Sequence, residues 1–91
     1  MSEIVKLQDA GETLDYSLDW TAWLSGDTIN SASWAITPTG PTLSAASVSG
    51  DVTTTFVAGV VFGQIYRLVC TVVTAMGRTS DRVITIRGFS Q

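Results

Sequence analysis

The residues from Gly63 to Arg87, GQIYRLVCTVVTAMGRTSDRVITIR, can fold in few ways. Tyr66, Leu68, Cys70 and Val72 fall on one face of an alternating pattern. Ile65, Val69, Thr71 and Val73 share the other face with Arg67. Side chains that change sides at every residue belong to a β-strand, not a helix. The density of β-branched residues agrees, since these fit a pleated, half-buried surface. A turn is expected at Ala75-Met76-Gly77-Arg78, where Gly77 can take the positive φ that hairpin turns require. Beyond it the alternation resumes, with Val83 and Thr85 on one side and Ile84 and Ile86 on the other. The segment is a long β-hairpin, and the upstream residues must supply strands that pack on it.

Those residues read as shorter strands. Ile4, Val5 and Leu7 suit a first strand, and a polar turn through Gly11 follows. Leu14, Tyr16, Leu18 and Trp20 alternate with Asp15, Ser17 and Asp19, the signature of one buried and one wet face. The alternation breaks over Trp20 to Leu24, where one turn of helix or a bend is expected, with Trp20 and Trp23 on one side of it. Thr28 to Thr37 is a strand with Ala32, Trp34 and Ile36 on one face. Ile29 has the opposite parity, which implies a bulge, an irregular strand entry or an apolar residue on the second face. Pro38 to Pro41 ends that strand. Leu43 to Val48 is a serine-rich strand and Ser49 to Asp51 a turn. Val52, Thr54 and Phe56 alternate in the next strand, before an apolar loop bounded by Gly59 and Gly63.

About seven short strands with turn signals at intervals near ten residues, and no helix between them, define an all-β sandwich or small barrel. The sandwich is the preferred reading: one domain over residues 1–91, with residues 1–11 as a candidate N-terminal arm. The expected core is Leu14, Tyr16, Leu18, Trp20, Trp34, Ile36, Val52, Phe56, Tyr66, Leu68, Cys70 and Val72. The spacing Gly63-x-x-Tyr66-x-Leu68-x-Cys70-x-Val72, followed by Gly77, resembles the last two strands of immunoglobulin-like modules. The expected fold is therefore an immunoglobulin-like β-sandwich of antiparallel strands. Cys70 is the sole cysteine, so the inter-sheet disulfide of antibody domains is excluded.

Composition narrows the function. Charged residues make up only 14% of the chain and the net charge is −3. No basic patch is present to neutralise phosphates, so no nucleic-acid partner is expected. No apolar run is long enough to cross a bilayer; the longest, near Phe56 to Phe62, is interrupted by Gly59. The first residues lack a basic region followed by an apolar run, so synthesis in a cytoplasm is expected, in agreement with a lone cysteine.

Catalytic chemistry finds little to work with. The chain has no histidine, which removes the commonest general base and metal ligand and every Ser-His-Asp or Cys-His arrangement. Cys70, in mid-strand among aliphatic residues, reads as a packing thiol. Asp15 and Asp19 share a strand face near Glu12, but without the loop spacing of a calcium site they read as solvent-facing acids. No glycine-rich turn leads into a helix to hold a phosphate. No metal or cofactor is implied. Trp20 and Trp34 have the parity of buried faces. Trp23 stands in the irregular segment, where it either caps the sandwich or meets a partner.

Two longer runs carry a closer likeness. Leu14-Asp15-Tyr16-Ser17-Leu18-Asp19-Trp20, then Trp23-Leu24, Gly26-Asp27-Thr28-Ile29 and Ser33-Trp34, resemble a family of small tailed-bacteriophage virion proteins, the fibre-tail adaptor proteins. So does the ending from Gly63-Gln64 through Tyr66, Leu68, Cys70, Val72, Thr74, Gly77-Arg78-Thr79 and Arg82 to Ile84, Ile86 and Arg87. The likeness spans roughly residues 12–87 and is weakest from Pro38 to Ala58. It implies a structural role in a virion, joining tail or portal to fibres or spikes, with other phage structural proteins as partners and a homo-oligomeric or ring assembly. It brings no catalytic residues with it. A capsid decoration protein and a carbohydrate-binding module are the alternatives.

The residues expected to meet a partner are Ile4 and Val5 on the N-terminal arm, Trp23, the loop residues Val60, Val61 and Phe62, and Arg78 at the hairpin turn. An apolar cluster at a loop tip either meets a partner or folds back to plug the open end of the sandwich. Edge strands are further candidates, since their backbone groups can extend a neighbour's sheet.

Overall fold

A computed structural model of the chain describes residues 4–89. It contains seven strands and one turn of helix: β1 (Ile4–Asp9), β2 (Thr13–Asp19), α1 (Thr21–Leu24), β3 (Ile29–Thr37), β4 (Thr42–Ser49), β5 (Val52–Ala58), β6 (Ile65–Thr74) and β7 (Thr79–Phe89). They form a four-stranded sheet ordered β1-β7-β6-β3 and a three-stranded sheet ordered β2-β5-β4. The orders β2-β5-β4 and β7-β6-β3 are those of strands B-E-D and G-F-C in an immunoglobulin-like sandwich.

The expected hairpin is β6–β7, and the chain turns at 75–78 with Gly77 at φ 89°. Thr74 N donates to the Arg78 carbonyl at 2.8 Å and closes the turn. Tyr66, Leu68, Cys70 and Val72 are buried against Ile84 and Ile86. The Tyr66 hydroxyl accepts a 3.0 Å hydrogen bond from Val61 N, five residues upstream. A tyrosine at the start of this strand, tied back to the preceding loop, is a recurring corner of immunoglobulin-like folds.

One strand departs from the antiparallel expectation. β1 runs parallel to β7, with Gln8 opposite Gly88. The Asp9–Glu12 turn carries the chain from one sheet to the other, where β2 pairs with β5. That turn closes on itself: Glu12 N donates to the Asp9 carbonyl at 3.0 Å, and Gly11 N donates to Asp9 Oδ1 at 2.9 Å. Residues 4–9 of the stretch read as an arm thus lie along β7 as an edge strand. Met1 to Glu3 fall outside the described residues.

β2 alternates as its sequence dictates, with Tyr16 and Leu18 buried. It leads through Trp20 into α1, where the expected helical turn sets Trp20 and Trp23 edge to face with ring centroids 5.6 Å apart. The irregular entry of β3 is a bulge between Ile29 and Ser31. Leu14, Trp34 and Ile36 pack on the core but stay partly exposed.

Val52 and Phe56 do not occupy the core positions expected of them. β5 presents Thr53, Thr55 and Val57 inward, and Phe56 is 37% exposed. Burial of a large apolar side chain contributes roughly 1.5–3 kcal/mol, so inward threonines need compensation. Trp20 Nε1 donates to Thr53 Oγ1 at 3.0 Å, and Thr55 Oγ1 donates to the Ser44 carbonyl at 3.2 Å. Both hydroxyls are paired, as buried polar groups must be.

Candidate partner-binding surface

The seven residues expected at a partner surface separate to the two ends of the sandwich. Val5, Val61 and Phe62 lie at the end where β6 begins. Trp23 and Arg78 lie at the opposite end, where β6 turns into β7. Ile4 pairs through its backbone with Ile84, and its side chain lies outside what the structure describes.

At the first end the β5–β6 loop divides its apolar residues. Val60 is 2% exposed and joins the core, so it plugs the sandwich and offers nothing to a partner. Val61 and Phe62 project, at 55% and 66% exposure. The backbone beneath them is pinned. Gly63 N donates to the Gly88 carbonyl at 3.1 Å, Gly88 N donates to the Gln64 carbonyl at 2.9 Å, and Gln64 N donates to the Val61 carbonyl at 3.1 Å. A Cβ on Gly88 would come within 2.2 Å of the Val61 carbonyl oxygen, so the loop seats here because β7 carries glycine at that position. The ordering cost of an exposed apolar tip is thereby met within the fold, which favours binding.

Beside the loop, Leu7 and Ile65 flank Arg87 in one row across the outer face of the larger sheet. They are 62% and 52% exposed. Val5 extends the apolar surface one row further along β1. A shallow groove of about 380 Å³ continues from Leu7 between β1 and β2, over Leu14, Tyr16 and Ile84, with Lys6 and Asp15 at its rim. Neither Leu7 nor Ile65 was among the expected contact residues. The signal for Ile65 was present: it shares parity with Arg67, so an apolar residue stands on a wet face.

The opposite end is spent on the fold itself. Arg78 Nε pairs with Asp27 Oδ2 at 3.3 Å, Nη2 donates to the Leu24 carbonyl at 2.6 Å and Nη1 to the Trp23 carbonyl at 3.3 Å. Its guanidinium also lies 4.6 Å from the Trp23 ring centroid. Arg78 thus fastens α1 to the hairpin turn, and Trp23 is half-buried between Arg78 and Trp20. Arg82 covers Trp20 in the same way at 4.2 Å and donates to the Asp19 carbonyl at 3.0 Å. The Arg78 guanidinium thus already stacks on the Trp23 ring, where a sugar would have to displace it.

The acids of this region are also engaged. Asp27 is buried; the Thr74 hydroxyl, with help from Thr28 N and Arg78, holds its carboxyl below the usual range. Asp19 is lowered by hydrogen bonds from the Thr21 hydroxyl and backbone N–H. Cys70 is buried, and desolvation pushes its thiol pKa up, the opposite of what a nucleophilic thiol needs. Among the described residues no three His, Cys, Asp or Glu side chains gather as metal ligands, and no helix is long and apolar enough to cross a membrane.

Fold and surface together define an all-β sandwich module whose exposed apolar residues gather at one end on a pinned loop and a sheet edge. The chain belongs to the podophage GP4 fiber-tail adaptor protein gp77 family, whose model matches residues 8–87. Among curated proteins none matches this sequence. Among solved structures, the fold is similar to part of a 2,6-sialyltransferase from Vibrionaceae Photobacterium sp. JT-ISH-224, solved with CMP and lactose. That likeness has a TM-score of 0.64 at 15% identity and covers 98% of this chain but 18% of that one. At such identity the likeness is one of fold alone.

Proposed function

We propose that this protein is a non-enzymatic structural component of the phage particle that joins tail or portal to fibres or spikes. The observation that carries this reading is the family match over residues 8–87. The surface supports it. Phe62, Val61, Leu7 and Ile65 offer apolar contact on a backbone that needs no rearrangement, with Arg87 among them as a polar anchor; aromatic residues and arginine are the side chains most enriched at interfaces. The absence of histidine and the burial of Cys70 support a role without catalysis.

The test is to locate the protein in purified particles, by mass spectrometry of separated heads and tails together with antibody labelling. Labelling at the tail or portal vertex is expected. Labelling over the whole head overturns the adaptor role in favour of a decoration protein. Absence from particles overturns both.

A further inference from the structure

The two sheets differ in charge. All 5 lysines and arginines lie on the strands of the larger sheet or in its β6–β7 turn: Lys6 on β1, Arg67 on β6, Arg78 in the turn, and Arg82 and Arg87 on β7. The acids on those strands are Asp9 and Asp81, so the larger sheet is basic on balance. The smaller sheet carries Asp15 and Asp19 on β2 and no basic residue on any strand. Arg67 and Arg87 stand on the outer face of the larger sheet, Asp15 and Asp19 on that of the smaller. Arg67, Arg87 and Asp15 are exposed, and among the described residues none of them has an ion-pair or hydrogen-bond partner.

Each outer face also sets its charge beside a large apolar side chain that water reaches. On the larger sheet Arg87 lies between Leu7 and Ile65 in one row, and Val83 opposite Val69 continues the apolar surface along the same two strands. Asp81, the acid on this face, lies towards the other end of β7. On the smaller sheet Asp15 lies directly opposite Phe56, which is 37% exposed. Cross-strand partners stand about 5 Å apart in either sheet. The two faces therefore offer the same spacing with opposite charge: an arginine one strand from an aliphatic side chain, and an aspartate one strand from a phenylalanine.

We propose that the outer face of the larger sheet docks on the outer face of the smaller sheet of a second copy of this chain. Arg87 then meets Asp15 of that copy, and an aliphatic neighbour of Arg87 meets Phe56. What selects a second copy as the occupant is that the chain itself carries the complement, in charge and in apolar placement. Sheets already pack face to face in this way inside the sandwich, about 10 Å apart. Like faces do not fit, because two larger sheets would bring arginines together and two smaller sheets would bring aspartates together. The contact is therefore heterologous, and each copy keeps one face open for the next. This inference rests on the reading of the Leu7–Arg87–Ile65 row as a contact surface; it assigns that row to a second copy and leaves the Val61–Phe62 tip to other components of the particle.

The test uses the full chain in sedimentation velocity over a concentration series at low salt. The wild-type chain is expected to associate as concentration rises. Arg87→Glu and Asp15→Arg, both at exposed positions, are each expected to weaken association about tenfold, with thermal midpoints close to wild type. An equimolar mixture of the two variants is expected to associate again, because Glu on one copy then faces Arg on the other. A wild-type chain that stays monomeric throughout overturns the proposal and leaves the row to a tail or fibre protein. Association that survives either reversal, or a mixture that stays as weak as its two components, also overturns it. The particle-location experiment is separate, so the adaptor reading and this contact can fail independently.

Discussion

The Tyr16 hydroxyl donates a 2.7 Å hydrogen bond to Gln8 Oε1, and this pair joins the two sheets. Gln8 belongs to β1 and is fully buried, and its Nε2 donates onward to the Val57 carbonyl at 2.8 Å and the Glu12 carbonyl at 3.0 Å. Removing either partner strands the other inside the protein, at a cost of about 1–3 kcal/mol. Tyr16→Phe and Gln8→Leu are each expected to lower stability to urea by that order. The double variant is expected to lose less than the sum, because neither unpaired group then remains.

The same tyrosine predicts alkaline behaviour. Burial, with a smaller contribution from Glu12, raises its pKa from 10.0 to about 12. Between those values the unfolded chain releases the phenolic proton while the folded chain keeps it. The unfolded state then binds fewer protons, so stability falls as pH rises. The stabilising contribution is complete below pH 10 and lost by about pH 12. Unfolding midpoints across this window are expected to fall more steeply for the wild type than for Tyr16→Phe.

Asp27 makes the mirror-image prediction at acid pH. Its carboxyl is held low by the Thr74 hydroxyl first, then by Thr28 N and Arg78. The unfolded chain therefore takes up the proton before the folded one, and stability is lost as pH falls below the ordinary carboxylate pKa of 3.8. Asp27→Asn is expected to flatten that acid limb in circular-dichroism melts. Arg78→Met is expected to loosen α1, read as faster hydrogen exchange at Leu24 and Ser25, whose amides donate to the Trp20 and Thr21 carbonyls.

Thr53→Val is nearly isosteric but leaves the Trp20 indole N–H without its acceptor. A loss of about 1–3 kcal/mol is expected in chemical denaturation. Cys70, whose Sγ lies 3.4 Å from Thr53 Oγ1, is expected to resist thiol reagents in the wild-type fold and to react only on unfolding.

Gly88→Ala and Phe62→Ser separate loop seating from loop contact. The added methyl at Gly88 collides with the Val61 carbonyl and is expected to cost roughly 1–3 kcal/mol as the loop and its Val60 plug shift. Phe62→Ser changes an exposed side chain and is expected to stay within about 0.5 kcal/mol of wild type. On the proposed function, its effect appears in the particle instead, as reduced incorporation or lost fibre attachment measured by mass spectrometry.

Much of the fold was legible because alternation is a local property. Tyr66, Leu68, Cys70 and Val72 could only share one face, and the same held for Tyr16, Leu18 and Trp20. β5 was not legible in this way. Val52 and Phe56 on one face and Val57 on the other are all apolar, so local pattern favoured the wrong side. The inward threonines became acceptable only once Trp20 and Ser44 had been brought beside them. The contact surface was half legible: Val61 and Phe62 were signalled by an apolar loop, while Leu7 and Ile65 became neighbours only when β1 and β6 took places on either side of β7.

The sequence by itself determined the strands, the hairpin turn, the lack of histidine chemistry and the likeness to a phage adaptor family. All of these depend on residues near one another in the chain. Only the tertiary structure decided that Val60 turns inward while Phe62 turns out, and that Arg78 serves α1 and Asp27. It also decided that Gln8 is buried and clamps the two sheets together. Each of these depends on a partner far away in sequence, fifty-one residues away for Arg78 and Asp27. Direction and burial of a side chain are set by which distant groups the sheets place opposite it, and periodicity along one strand carries no record of that.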